Sequence, residues 1–290
     1  MSAATRPLYW SVRRELWENR SIYVAPLAAA AVLLFGVLIG TLALPRHLPA
    51  LMALDPAKQH AAVTMPYNVV SGLLLLTAFL VGVFYCLDAL HGERRDRSIL
   101  FWKSLPVSDL TTVISKATIP LVVLPLLVFA IVVAACLIIR LLSTVALLGS
   151  PAGLAILGTH VKLFQFSAAL LYALIGIALW HAPLYAWLLV VSAWARRSAF
   201  LWAVLPPLAI GVFEKLAFNS THFGIWLRYR LIGWFPRAFV APATGHVPIE
   251  PLASITPLRL LGAPGLWTGL VFAVICLAVA VRMRRRREPI

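Results

Sequence analysis

Long apolar runs alternate with short polar breaks along almost the whole chain. A run of about 20 apolar residues reads as a helix able to cross a bilayer, because a rise of 1.5 Å per residue must cover a hydrocarbon core of about 30 Å. Six runs are read as spans: residues 21–44, 66–90, 111–142, 163–195, 199–218 and 266–281. The third and fourth are longer than a vertical helix needs, so tilt or protrusion is expected. Pro120 and Pro125 should bend the third, and Pro206-Pro207 interrupt the fifth. Residues 45–65 read as a polar, Pro-containing loop, 143–161 as a short Gly/Pro loop, and Arg196-Arg197 as a tight turn. Residues 219–265 mix Pro, Gly, Trp and Arg too densely to span, and are expected to form short external helices, interfacial or re-entrant, before the last span.

Ahead of the first span, residues 7–20 are amphipathic: at 100° per residue Leu8, Tyr9, Val12 and Leu16 share one arc, and Ser11, Arg14, Glu15 and Glu18 the other. Trp10 and Trp17 suit a headgroup boundary, so this segment is expected to lie on the membrane surface. The fold class expected is therefore an all-α polytopic membrane protein, built as one domain over residues 1–290.

Composition agrees. Hydrophobic residues make up 62% and charged residues 12% of the chain, against about 45–50% and about 25% in soluble domains. The net charge of +15 would suggest nucleic acid in a soluble protein, but the arginines cluster at the ends of apolar runs, where topology explains them. No nucleic-acid partner is expected. With six spans, one face collects the N-terminus, the loop at 91–110, Lys116, Arg196, Arg197 and the Arg-rich tail, holding 16 of the 25 Lys and Arg. That face should be cytoplasmic, with both termini inside. The first apolar run is long enough to remain as an anchor rather than a cleaved leader. Cys86, Cys136 and Cys276 all fall within apolar runs without metal-ligand spacing, and read as small buried hydrophobes.

The loop at 91–110 stands out. It opens with His91, Glu93, Arg94, Arg95, Asp96 and Arg97, and then carries Ile99, Leu100, Phe101 and Trp102, four large apolar residues inside a hydrophilic loop. A helix over residues 97–105 would present Ile99, Phe101, Trp102 and Leu105 together, and aromatic anchors of this kind dominate interfaces. Arg94, Arg95 and Arg97 suit acidic groups around a partner's groove, while Glu93 and Asp96 suit local ion pairs. The competing reading places Phe101 and Trp102 in the headgroup layer with the charges solvated. Asp109 is expected to cap the following helix.

Gly92-Glu93-Arg94, Ser98, the apolar run, Leu105-Pro106-Val107-Ser108 and Lys116 resemble the loop of the ATP-binding cassette (ABC) type-2 permease family. Ser192-Ala-Trp-Ala-Arg-Arg197, with Phe200-Leu-Trp and Pro206-Pro207, resembles a bacterial subgroup of the same family. The resemblance implies a coupling helix between spans 2 and 3 that inserts into a separate ATPase subunit, docking through Glu93, Arg94, Arg95, Arg97, Ile99, Leu100, Phe101, Trp102 and Leu105. It further implies a second permease subunit, homo- or heterodimeric, a bacterial inner membrane, and export. ATP and Mg would be bound by the partner ATPase; this chain has no Gly-x-x-x-x-Gly-Lys-Ser/Thr loop, and no cofactor of its own is expected.

Two further residues carry candidate chemistry. His181, an ionisable group near the middle of the fourth span and two residues before Pro183, is a candidate for a translocation path. The alternative for it is a neutral imidazole bonded across helices. Glu214, beside Lys215 near the outer boundary, is a weaker candidate for the same path, with an interfacial ion pair as its alternative. No His-Glu-x-x-His or Gly-x-Ser-x-Gly motif suggests an enzyme. Besides transport, two readings stay open: a membrane scaffold or assembly factor, and an intramembrane enzyme centred on His181, which requires further polar groups facing that ring.

Overall fold

The computed structural model describes residues 5–98, 107–160, 162–239 and 255–286. The regular structure of the described residues is helical, apart from a single antiparallel bridge between Phe239 and Ile255. Six helical stretches are long and apolar enough to cross a membrane, so the chain is a multi-pass membrane protein.

Helix α1 (Thr5–Glu18) leads through Asn19 into α2 (Ser21–Met52), the first span. Here the expected loop at 45–65 is corrected: α2 runs on through Pro45 and Pro49, and α3 (Pro56–Ala89) begins after a turn at 53–55. Leu48 is buried and helps hold the extension, the Leu51 carbonyl at its end accepts from both Leu54 N and Gln59 Nε2 at 3.2 Å, and Pro56 suits the first helical turn because its missing N–H would be unpaired there anyway.

A short helix α4 (His91–Arg95) follows, and residues 99–106 lie outside the described part. The third span comprises α5 (Asp109–Thr118), a wider π turn at Ile119–Val123 and α6 (Leu124–Ala146). Pro120 lies within this turn and Pro125 just beyond it, and the Leu124 N–H reaches back to Ile119 O, five residues away. Ser108, rather than Asp109, caps α5, accepting from Thr111 N at 3.1 Å. The short loop expected at 143–161 is also corrected. It contains helix α7 (Pro151–His160), and Ser150 Oγ accepts from Gly153 N at 3.2 Å at its start.

The fourth span is α8 (Leu163–Trp194) and the fifth α9 (Ala199–Phe218), which ends at Asn219 in the left-handed conformation that asparagine tolerates. The segment between the fifth and last spans holds α10 (His222–Ile232), α11 (Phe235–Ala238) and α12 (Pro257–Leu261), while residues 240–254 are outside the description. The last span is α13 (Pro264–Arg286), longer at its tail than the apolar run alone suggested.

The main core joins the first four spans around Leu74, Val128, Ile139 and Leu189. Small residues set the closest approaches. Ala182 and Ala186 of α8 meet Ala273 and Cys276 of α13, and a Cβ on Gly82 would stand 3.1 Å from the Tyr185 ring. The segment between the fifth and last spans is pinned to α8 by Trp180, whose Nε1 donates to Arg230 O at 2.9 Å, with Arg237 lying 4.5 Å over the Tyr229 ring. By contrast, α9 buries only Ala199 and Ala203, and α2 exposes Val32, Phe35 and Leu42. Such surfaces would be a liability in water, whereas hydrocarbon solvates them.

Candidate functional site

The charged start of the loop after the second span is held at the end of the fourth. At the turn between α3 and α4, the N–H groups of Leu90 and His91 both donate to Ser192 Oγ, at 3.0 and 2.9 Å. Helix α8 ends at Trp194, and its last carbonyls have no partner within the helix. Arg94 supplies one, donating to Ala193 O at 2.8 Å and Ala195 O at 3.0 Å. A guanidinium suits this place twice over, since its fork spans two carbonyls and a cation is favoured at the negative end of a helix. His91 Nδ1 also lies 3.2 Å from Ala195 O. The two segments 92–98 and 192–197, about 100 residues apart in sequence, are thus one structural unit.

Beneath them lies a buried ionic node. Lys116 of α5 donates to Glu15 of α1 at 2.9 Å and to Glu93 of α4 at 3.1 Å. Glu93 also pairs with Arg284 of α13, which in turn donates through Nε to Asp109 at 3.0 Å. Arg14 approaches Glu15 at 2.8 Å and Glu93 at 3.4 Å, and Tyr85 donates to Glu15 Oε2 at 2.8 Å. Three carboxylates (Glu15, Glu93, Asp109) therefore face three cations (Arg14, Lys116, Arg284). Pairing and hydrogen bonds offset a desolvation cost of several kcal/mol per ion. Burial pushes the Glu15 carboxyl up, but the charge and hydrogen bond of Lys116, with Arg14, outweigh it and hold the group below its ordinary value. The node ties α1, α4, the start of the third span and the end of the last span into one block.

The residues singled out from sequence fall into separate places. Glu93 and Arg94 face inward, 8% and 5% exposed, and serve this chain's interior. Arg95 is exposed and pairs with Asp96 at 3.0 Å and Asp88 at 3.6 Å. Arg97 is exposed in a left-handed backbone conformation with φ 57°. Ile99, Leu100, Phe101, Trp102 and Leu105 lie outside the described residues.

His181 is far from this loop in the fold. Its Nδ1 lies 3.0 Å from Ile177 O and its Nε2 3.0 Å from Leu231 O, with the Phe79 ring centred 5.3 Å away. These neighbours are backbone carbonyls and an apolar ring, an arrangement that positions α10 against α8. Glu214 caps α10: its oxygens accept from Ser220 Oγ and His222 N at 2.7 Å and from Phe223 N at 2.8 Å. The ion pair expected with Lys215 gives way to this cap, and Lys215 instead donates to Asn219 at 2.9 Å.

Sequence reasoning missed Glu15, Tyr85 and Arg284 as members of a site. The one available signal was scarcity: the chain has only ten acidic residues, so an acid on the amphipathic N-terminal helix deserved a search for a buried partner. Among the described residues no group of three or more His, Cys, Asp or Glu side chains is placed to hold a metal ion. No family model, curated protein or solved structure matches the chain.

Proposed function

We propose that the chain is the membrane-spanning permease subunit of an ABC transporter, driven by a separate ATPase subunit that docks on the loop after the second span. The observation that carries this reading is the fastening of that loop. Its first half is bonded to the end of the fourth span through Arg94 and Ser192. Through Glu93 it is bonded to the third and last spans and to α1. A force applied at residues 99–105 would meet a rigid block joined to four membrane elements, as a coupling device requires. The two segments that resemble the permease family are also the two that bond to each other.

On this reading Ile99, Phe101, Trp102 and Leu105 enter the partner's groove, with the exposed Arg95 and Arg97 facing its acidic rim. Glu93 and Arg94 act from behind, as positioning residues. The partner supplies ATP and Mg. Two copies of the chain, or this chain and a related one, form the pore, in a bacterial inner membrane with both termini on the cytoplasmic side, and the direction is export. The exposed Tyr9, Trp10 and Trp17 on α1, with Arg13 stacked 5.2 and 4.7 Å from the two Trp rings, support a position in the headgroup layer.

The test is co-purification from the native host in mild detergent, wild type beside Phe101→Asp. An ATPase subunit should accompany the wild type and be lost from the variant. Recovery of the wild type without any ATPase would overturn the permease reading in favour of a scaffold.

A further inference from the structure

Near the end of the first span away from α1, the helices α2, α3, α6 and α7 enclose a cavity of about 310 Å³. It is about twice the size of an apolar cavity that accepts a benzene ring, ~150 Å³. Its walls are largely apolar, with Val37, Leu48, Ile139 and Leu157 among them. Four polar side chains also line it, His47, Thr41, Ser143 and Tyr67, and the tyrosine stands out. Tyr67 is 3% exposed, and its hydroxyl is buried with no hydrogen-bond partner. An orphan donor of this kind costs about 1–3 kcal/mol unless something bonds it. The other hydroxyl on this face whose bond is described, that of Thr41, already donates to Leu38 O at 2.8 Å.

The cavity has an open side. Gly40 lines it, is exposed, and a Cβ there would meet nothing within 4 Å. Gly40 lies 19 residues along α2 from Ser21, about 29 Å of helix. That is close to the full thickness of a hydrocarbon core, about 30 Å. The opening therefore sits at the depth where acyl chains meet their polar ends.

We propose that this cavity binds the carbonyl end of a single acyl chain, entering past Gly40. The Tyr67 hydroxyl donates to the carboxyl or ester oxygen, and the chain lies against Val37, Ile139 and Leu157. A free fatty acid and one chain of a bilayer phospholipid share this chemistry. The proposal is independent of the permease reading.

The full-length protein, purified in detergent, is photolabelled in two arms: with a photoreactive long-chain fatty acid, and with a phosphatidylglycerol carrying the same chain. Labelled peptides are mapped by mass spectrometry. Label should concentrate in residues 37–51 and 139–157 and be displaced by excess unlabelled lipid of the same type. The arm that labels there identifies the source. Gly40→Leu, which fills the cavity and improves helix propensity, should lower this labelling roughly tenfold. Tyr67→Phe keeps the shape and should lower it about fivefold, the worth of one hydrogen bond. Gly36→Leu, one turn away and outside the cavity, should leave it unchanged. Label spread evenly over the lipid-facing helices in both arms, or equal labelling of wild type and Gly40→Leu, would overturn the site. Equal labelling of wild type and Tyr67→Phe would overturn the hydrogen bond that defines it.

Discussion

Lys116 donates to Glu15 across 2.9 Å, with neither side chain more than 2% exposed, although 101 residues separate them. Removing one partner leaves the other charge buried and uncompensated, a loss of about 3–5 kcal/mol. Lys116→Met should therefore depress the unfolding midpoint in detergent strongly. The double variant Glu15→Gln/Lys116→Met should recover much of the loss, because two neutral side chains need no compensation. Additive losses in the double variant would mean that the pair is not coupled.

Glu15 also sets a pH dependence. Its folded-state value lies below the ordinary 4.5, so the folded protein binds that proton less readily than the unfolded chain. The stability it contributes is full above the ordinary value and is lost as pH falls through the lowered one. Glu18, raised chiefly by burial, acts in the opposite sense: its share is present in acid and fades as pH rises through its raised value. Unfolding midpoints measured across the acid range should fall on acidification in the wild type. In Lys116→Met the burial effect on Glu15 is less opposed, and the acid loss should shrink or reverse. An unchanged acid slope in that variant would assign the wild-type slope to other groups.

Ser192 and Arg94 make a separable prediction. Ser192→Ala leaves the N–H groups of Leu90 and His91 without their acceptor, at a cost of about 1–3 kcal/mol. Arg94→Met keeps much of the packing but frees the carbonyls of Ala193 and Ala195, at about 2–3 kcal/mol. Arg94→Lys should fall between, since one ammonium cannot reproduce the planar fork. If the loop transmits force from an ATPase, both losses should also weaken stimulation of that ATPase in the reconstituted pair while Phe101 is intact. Unaltered hydrogen exchange at residues 90–98 in Ser192→Ala would show that the serine does not hold the turn.

The spans were legible because hydrocarbon imposes one strong rule, an apolar stretch of sufficient length, and this chain obeys it from Ser21 to Phe218 and again from Pro264. The ends were less legible. Pro45, Pro49 and Ser150-Pro151 look like loop residues by local chemistry, yet Leu48 and Gly153 pack closely enough to keep both segments helical. The ionic node was not readable at all by periodicity. Glu15 lies on the polar arc of α1, and only the fold reveals that this arc faces Lys116 rather than water. Arg94 and Ser192 were each visible as parts of segments, but their bond depends on where the fourth span stops.

Arg230 offers a test of how the segment between the fifth and last spans is fastened. Its Nη1 donates to Gly265 O at 2.9 Å and its guanidinium lies 5.4 Å over the Trp180 ring. The path to both runs directly over Gly269, where any Cβ would collide with the guanidinium. Gly269→Leu should therefore evict Arg230 and cost about 1–3 kcal/mol, the usual range for overpacking. Gly269→Ala should cost less, because the end of a long side chain can shift by a small amount. The same leucine placed in an Arg230→Ala background has nothing to displace, so the double-mutant cycle should show coupling of at least about 0.5 kcal/mol. Gly36→Leu serves as the reference for a glycine whose Cβ meets nothing. If the leucine at 269 costs the same with and without Arg230, the guanidinium does not occupy that path in the folded protein, and the segment is held by its other contacts, among them Trp180 with Arg230 O and His181 with Leu231 O.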